Sequence, residues 1–303
     1  MYQEHFGLRE PPFTITPDTS FFFAHSSHQE ALNTLLVAVR SGEGFMKVVG
    51  EVGTGKTILC RKFLDALDHE DFVTAYIPNP YVGPNTLLLA VADELRIECP
   101  ERTNQHHLLK LLTKFLVDSY AAHKRVVLCL DEAQAMPVET LEALRLLTNL
   151  ETERRKLLQV VLFGQPELDV KLSNRAIRQL KQRITFSCRL RPLDLGDVEF
   201  YIAHRLAIAG FRGARLFVPD AVKRIYRASG GVPRLINILA HKALIAAYGE
   251  GLRQVSDRHV RLAIADTESL RTVVRFRYRL LRYLGLAASI AFIGVTILAW
   301  AIS

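Results

Sequence analysis

Short, largely apolar runs recur along this chain between longer stretches in which leucines return every three or four residues. The runs fall at 45–50, 73–77, 126–131, 158–164 and 184–190. Each is short enough for a strand buried on both faces, as in a parallel sheet. Between and after them, "HQEALNTLLVAVR", "TILCRKFLDAL" and "PVETLEALRLLTNL" carry helical spacing, and 194–266 is helical in period throughout. Strands that alternate with helices predict an α/β core, followed by a smaller helical part. Ser27 and Glu30 have the spacing of a capping box and predict the start of the first long helix. Pro137 predicts the start of another.

The last twenty residues break the pattern. "YLGLAASIAFIGVTILAWAI", 283–302, has no charge and no polar face. Twenty helical residues span about 30 Å, the thickness of a hydrocarbon core. Arg271, Arg275, Arg277, Arg279 and Arg282 precede it, and Tyr283 and Trp300 stand near its ends. By the positive-inside rule this reads as one span with the preceding body cytoplasmic and the C-terminus outside. No signal peptide is expected from the N-terminus. The chain of 303 residues carries a net charge of +8, and those five arginines supply much of the excess. The basicity therefore does not by itself call for a nucleic-acid partner. Cys60, Cys99, Cys129 and Cys188 are widely spaced without a metal or redox motif, so reduced thiols are expected.

The chemistry begins after the first run. Gly50-x4-Gly55-Lys56-Thr57 follows a predicted strand and opens a predicted helix. Glycines let backbone N–H groups close around phosphates, and a helix N-terminus favours anions. The expected nucleotide contacts are Gly50, Glu51, Val52, Gly53, Thr54, Gly55, Lys56 and Thr57, with Lys56 on the β- and γ-phosphates. The third run ends in Asp131 and Glu132. Asp131 with Thr57 would hold Mg²⁺, and Glu132 would polarise the attacking water. Gln165 ends the fourth run, where a polar side chain would sense a γ-phosphate. Arg183 precedes the fifth, where it would reach a neighbouring subunit's nucleotide; Arg178 and Lys181 read as solvated helix charges. Arg234, in "GGVPR", would project from a helix start toward the phosphates or form a structural ion pair.

These parts, in this order over 45–266, resemble the AAA+ ATPases. The resemblance implies a five-stranded parallel sheet, a helical lid, ATP and Mg²⁺ as ligands, and a homo-oligomer, commonly a ring. In its terms Gln165 is the first sensor, Arg183 the arginine finger and Arg234 the second sensor. The opening "FGLREPPFTITPDTSFFF", with "LCLDEAQAMP" and "KLLQVVLFGQPELD", is similar to the ExeA/GspA group of secretion ATPases. Within that group the likeness is closest to the ATPases of mannose-sensitive haemagglutinin (MSHA) pilus biogenesis. It places Phe21–Phe23 on the nucleotide side of the core. ExeA-like proteins carry a peptidoglycan-binding domain after their span; this chain stops at Ser303, so cell-wall contact would fall to a partner.

The expected organisation is an N-terminal segment with the first helix (1–44), a nucleotide-binding core (45–193), a lid (194–266), a basic linker (267–282) and a span (283–302). The expected function is a bacterial inner-membrane ATPase that supports assembly of an MSHA-like type IV pilus or a related secretion apparatus. Its expected partners are the assembly proteins at that membrane and the bilayer itself. The alternative is a DNA-handling ATPase of the transposition-regulator or initiator kind. Against it, no room for a winged helix follows the lid, and no aromatic–basic interleaving suggests a single-strand platform. A scaffold that scarcely hydrolyses ATP is a third class, disfavoured by Glu132 and Arg183.

Overall fold

The computed structural model describes residues 2–16, 18–100, 104–148 and 156–267. The chain forms two compact units. Of the described residues, one comprises those of 15–204 with 232–234; the other gathers 2–14, 205–231 and 235–267.

The first unit is built on five parallel strands: β1 (Phe45–Val49), β2 (Phe72–Ile77), β3 (Arg125–Leu130), β4 (Leu158–Gly164) and β5 (Ile184–Arg189). Their order is β2-β3-β4-β1-β5. All five lie within a residue or so of the predicted runs. Side chains alternate across a strand, and here the alternation divides two apolar layers. Val126, Leu128, Val160 and Leu162 face one layer with Leu87, Leu108, Leu112 and Leu141. Val127, Cys129, Val161 and Phe163 face the other with Leu35, Leu59 and Phe63. Central β4 is buried along its whole length, whereas edge strand β5 alternates between half-buried and exposed. Lys47 is the charged exception within β1, and its ammonium pairs with Asp169.

Buried polar groups have specific work. Gln159 of β4 donates from Nε2 to the carbonyls of Val39 and Glu43, at 3.0 and 2.9 Å. These bonds secure the end of the helix Ser26–Ser41, which Gly42 closes at φ 85°. The start of that helix corrects one expectation. His25, not Ser27, is the N-cap, and its side chain makes no capping bond. Ser27 is already helical, with its hydroxyl 3.0 Å from Nδ1 of His25. The helix begins two residues earlier than the capping-box reading requires, so the Ser27–Glu30 spacing is coincidental. Pro137 is likewise the N-cap of Val138–Leu147 and not its first helical residue.

The second unit is helical. Pro219–Ser229, Asp257–Ala265 and most of Pro233–Gly249 pack around Phe217, Ile225, Leu239, Leu244 and Val260. The first residues of the chain belong to this core. Phe6, Leu8 and Phe13 are buried, and the Phe13 ring meets Phe217 edge-on at 5.8 Å between centroids. Backbone and side-chain bonds fix the join. Arg9 N–H donates to Ala209 O at 2.7 Å, and buried Arg205 donates to Pro12 O. Asn237 donates to Thr14 O at 3.2 Å.

The four cysteines are free thiols. No helix among the described residues is long and apolar enough to cross a membrane. The expected span and the five arginines before it lie outside the described residues.

Candidate nucleotide-binding site

The phosphate-loop residues connect β1 to the helix Lys56–Asp65. Gly53 and Gly55 adopt φ 80° and 96°, values that disfavour any side chain. Gly50 is required for a different reason: a Cβ there would lie 2.7 Å from Thr54 Oγ1 and 3.1 Å from Leu190. Thr54 closes the loop on itself through a 2.8 Å bond to Glu51 O. Lys56 is buried, with Nζ donating to Gly50 O at 2.9 Å and Glu51 O at 3.1 Å. Burial holds its pKa below the usual lysine value, partly offset by the nearby carboxylates of Glu132, Asp131, Glu51 and Glu167.

Parallel strands bring their C-terminal ends to one edge, where ligands of open α/β sheets bind. Val49 of β1 pairs with Gly164 of β4, and Leu130 of β3 with Leu162, so the chain beyond each strand emerges side by side. Asp131 is buried beside Thr57, whose hydroxyl donates to Oδ2 at 2.6 Å. The Glu132 N–H donates to the other carboxylate oxygen at 2.9 Å. Burial raises the Asp131 pKa and outweighs both bonds. Thr57 and Asp131 are hard oxygen donors on rigid elements. They fit Mg²⁺, which is held by one or two carboxylates together with substrate phosphates.

Glu132 adopts the left-handed conformation, φ 51° and ψ 37°, which costs a residue with a side chain about 1–2 kcal/mol. Two amides compensate by fixing its carboxylate. Gln165 Nε2 donates to Oε2 at 3.0 Å, and Gln134 Nε2 donates to the same oxygen. Gln134 also accepts from the Gln165 N–H at 3.0 Å. A backbone N–H can only donate, so the Gln134 amide has one possible orientation. Lys171 steadies this turn with bonds to the carbonyls of Gln134 and Met136, at 2.5 and 2.6 Å. The sequence reading singled out Glu132 and Gln165; it missed Gln134, whose only signal was a second amide two residues after Glu132.

Arg234 also reaches the loop. Its N–H donates to Gly53 O at 3.2 Å, and a Cβ on Gly53 would lie 2.6 Å from Arg234 Cβ. Its side chain is exposed. Arg183 is not among these residues. It ends the helix Arg178–Arg183 at the start of β5, where Ile184 pairs with Phe45 at the opposite edge of the sheet. Its guanidinium is half-buried, 3.4 Å from Arg145 O and 3.3 Å from Thr148 Oγ1. Arg178 and Lys181 are exposed.

His28 was also missed. It is buried on the helix Ser26–Ser41, 2.8 Å from Thr54 O. Phe22, from the aromatic run expected on the nucleotide side, meets its ring edge-on at 6.2 Å.

Comparisons with known proteins agree with this arrangement. Residues 39–172 match the AAA domain family. General secretion pathway protein A of Aeromonas hydrophila is 42% identical over 271 residues, covering 89% of this chain and 49% of that protein. The chain thus spans about half the length of that relative. Among solved structures, Cdc6p from Pyrobaculum aerophilum superimposes with a TM-score of 0.63 at 19% identity, over 83% of this chain and 71% of that one. Drosophila ORC bound to DNA gives 0.64 at 18% identity, over 88% and 65%. At these identities the structural likenesses show the fold: a P-loop AAA fold with a five-stranded parallel sheet.

Proposed function

We propose that this chain is a Mg²⁺-dependent ATPase of the AAA+ class that works in the assembly of a secretion apparatus, and specifically of an MSHA-like type IV pilus. The observation that carries the ATPase reading is the convergence of Lys56, Thr57, Asp131, Glu132 and Gln165 at the C-terminal edge of three adjacent strands. The loop N–H groups and Lys56 bind the phosphates. Lys56 exchanges its bonds to Gly50 O and Glu51 O for phosphate oxygens. Thr57 and Asp131 would hold Mg²⁺, which would supply positive charge against the negative charge that develops in phosphoryl transfer. Gln165 turns from Glu132 toward the γ-phosphate, and Glu132, still held by Gln134, orients the attacking water. Arg183 completes the charge stabilisation at a neighbouring subunit's nucleotide, within a homo-oligomeric ring.

The secretion context is supported by the identity to General secretion pathway protein A. The pilus assignment rests on the resemblance of the opening and strand-end motifs. Inner-membrane anchoring, with the ATPase body cytoplasmic, rests on the arginine-rich stretch and the uncharged run at 283–302.

The test is a Lys56→Ala replacement in cells. Surface pili are counted while protein level and membrane fractionation are followed, and phosphate release is measured on purified protein with and without duplex DNA. The expected result is a stable, membrane-bound protein without ATPase activity and without pili. Normal piliation overturns the pilus assignment, and unchanged turnover overturns the site. DNA stimulation that collapses with salt would support the DNA-handling alternative.

A further inference from the structure

The residues assigned above leave one buried side chain beside the phosphate loop without a role. His28 is 5% exposed, and its Nε2 lies 2.8 Å from the Thr54 carbonyl. A carbonyl oxygen can only accept, so Nε2 carries the proton and donates. Nδ1 is then a bare lone pair, and it has no hydrogen-bond partner among the described residues. A ring chosen only to fill space would not need that orphan; an apolar side chain would fill it without one. Burial keeps the imidazole pKa low and the ring neutral, against the opposing effect of the Thr54 bond.

The bond constrains the loop through the peptide it touches. A trans peptide is planar, and its C=O and N–H point in opposite directions. Directing Thr54 O at His28 therefore turns the Gly55 N–H away from His28. Gly55 is the last loop residue before the helix, at φ 96°. A Cβ on it would lie 3.0 Å from His28 Nε2, so ring and loop are already in close contact. The ring is itself held. Phe22 and His25 stand edge-on to it at 6.2 and 6.1 Å. His25 in turn pairs with Asp197 at 2.8 Å.

We propose that His28 is a positioning residue of the phosphate loop: its Nε2–H fixes the Thr54–Gly55 peptide with the Gly55 N–H presented to nucleotide phosphate. This rests on the ATP-binding reading. His28 acts through the loop and does not touch the nucleotide.

The test compares His28→Leu, which removes the donor, with His28→Gln, which restores an N–H donor, using titration of the full-length protein with a fluorescent ADP analogue. Melting temperature without nucleotide and steady-state KM and kcat for ATP are recorded for each. His28→Leu should weaken ADP binding about tenfold, the equivalent of one lost hydrogen bond. KM should rise, with kcat changed less than about twofold. His28→Gln should recover most of the affinity whether or not it recovers the melting temperature. Wild-type affinity in His28→Leu, or equal weakness in both variants, overturns the proposal. If His28→Leu does not fold, His28→Phe supplies a donor-free ring for the same comparison. Wild type and Lys56→Ala binding ADP equally poorly would overturn the nucleotide reading itself, and this proposal with it.

Discussion

Arg183 stands at the opposite end of the sheet from the phosphate loop of its own chain. From Phe45, level with Ile184, to the start of the loop at Gly50 is five strand steps, or about 17 Å at 3.3 Å each. No single side chain covers that distance, so Arg183 can complete a site only on another copy. Its present bonds to Arg145 O and Thr148 Oγ1 are long, at 3.4 and 3.3 Å, and little is lost in leaving them. An arginine supplied in trans to a nucleotide raises kcat by 10³–10⁵, so Arg183→Ala should lower phosphate release by about 10³-fold. Mixing sharpens the prediction. Lys56→Ala subunits keep their arginine but lose the nucleotide, and Arg183→Ala subunits do the reverse. When the two inactive variants are dissociated, mixed equally and reassembled, one of the four ordered head-to-tail pairings is complete. Turnover should recover to about a quarter of wild type. A mixture no more active than its two components would refute action between subunits. Wild-type turnover by assembled Arg183→Ala would refute any role for Arg183 at the site.

Asp131→Asn should separate stability from function. An ionised carboxylate with a raised pKa costs the fold stability, and that cost grows as pH rises from the unfolded value near 4 through the folded one. The variant should flatten that slope and raise the nucleotide-free melting temperature at neutral pH by roughly 2–4 °C, the equivalent of about 1 kcal/mol in a domain of this size. It should also lose the further rise that Mg²⁺–ATP gives wild type; a lower nucleotide-free melting temperature would contradict the reasoning. Gln134→Leu removes one of the two amides on Glu132 and the acceptor for the Gln165 N–H. It should lower kcat by about 10²-fold, within the range of general-base effects, with nucleotide affinity nearly unchanged. Equal losses in kcat and affinity would show that Gln134 shapes the loop instead.

β1, β3 and β4 were legible because strands buried on both faces leave apolar runs, whereas edge strand β5 showed itself by alternation, Ile184, Phe186 and Cys188 against Thr185, Ser187 and Arg189. Lys47 did not obscure β1, since four apolar neighbours outweigh one charge whose partner, Asp169, is invisible in sequence. The phosphate loop and the Asp131–Glu132 pair were legible because their chemistry demands fixed residue types at fixed spacing. Gln134 and His28 were not, because each acts through contacts across the fold: Gln134 on residue 165, His28 on residue 54. A buried histidine near a helix start looks like any polar residue there. The same ambiguity made Ser27 look like a cap when the helix had already begun at Ser26.

The attachment of residues 2–14 to the helical unit has a consequence for how the chain is made. This segment is synthesised before the residues that hold it, since Asn237 and Phe217 secure it. At 5–20 residues per second, the two hundred or so intervening residues take roughly 10–40 seconds to synthesise. Throughout that interval Phe6, Leu8 and Phe13 have no core to enter, while most of the sheet unit, 15–204, can already form. The nascent segment 2–14 is therefore a natural landing place for chaperones. An expression tag or truncation there would be felt in the helical unit, two hundred residues downstream.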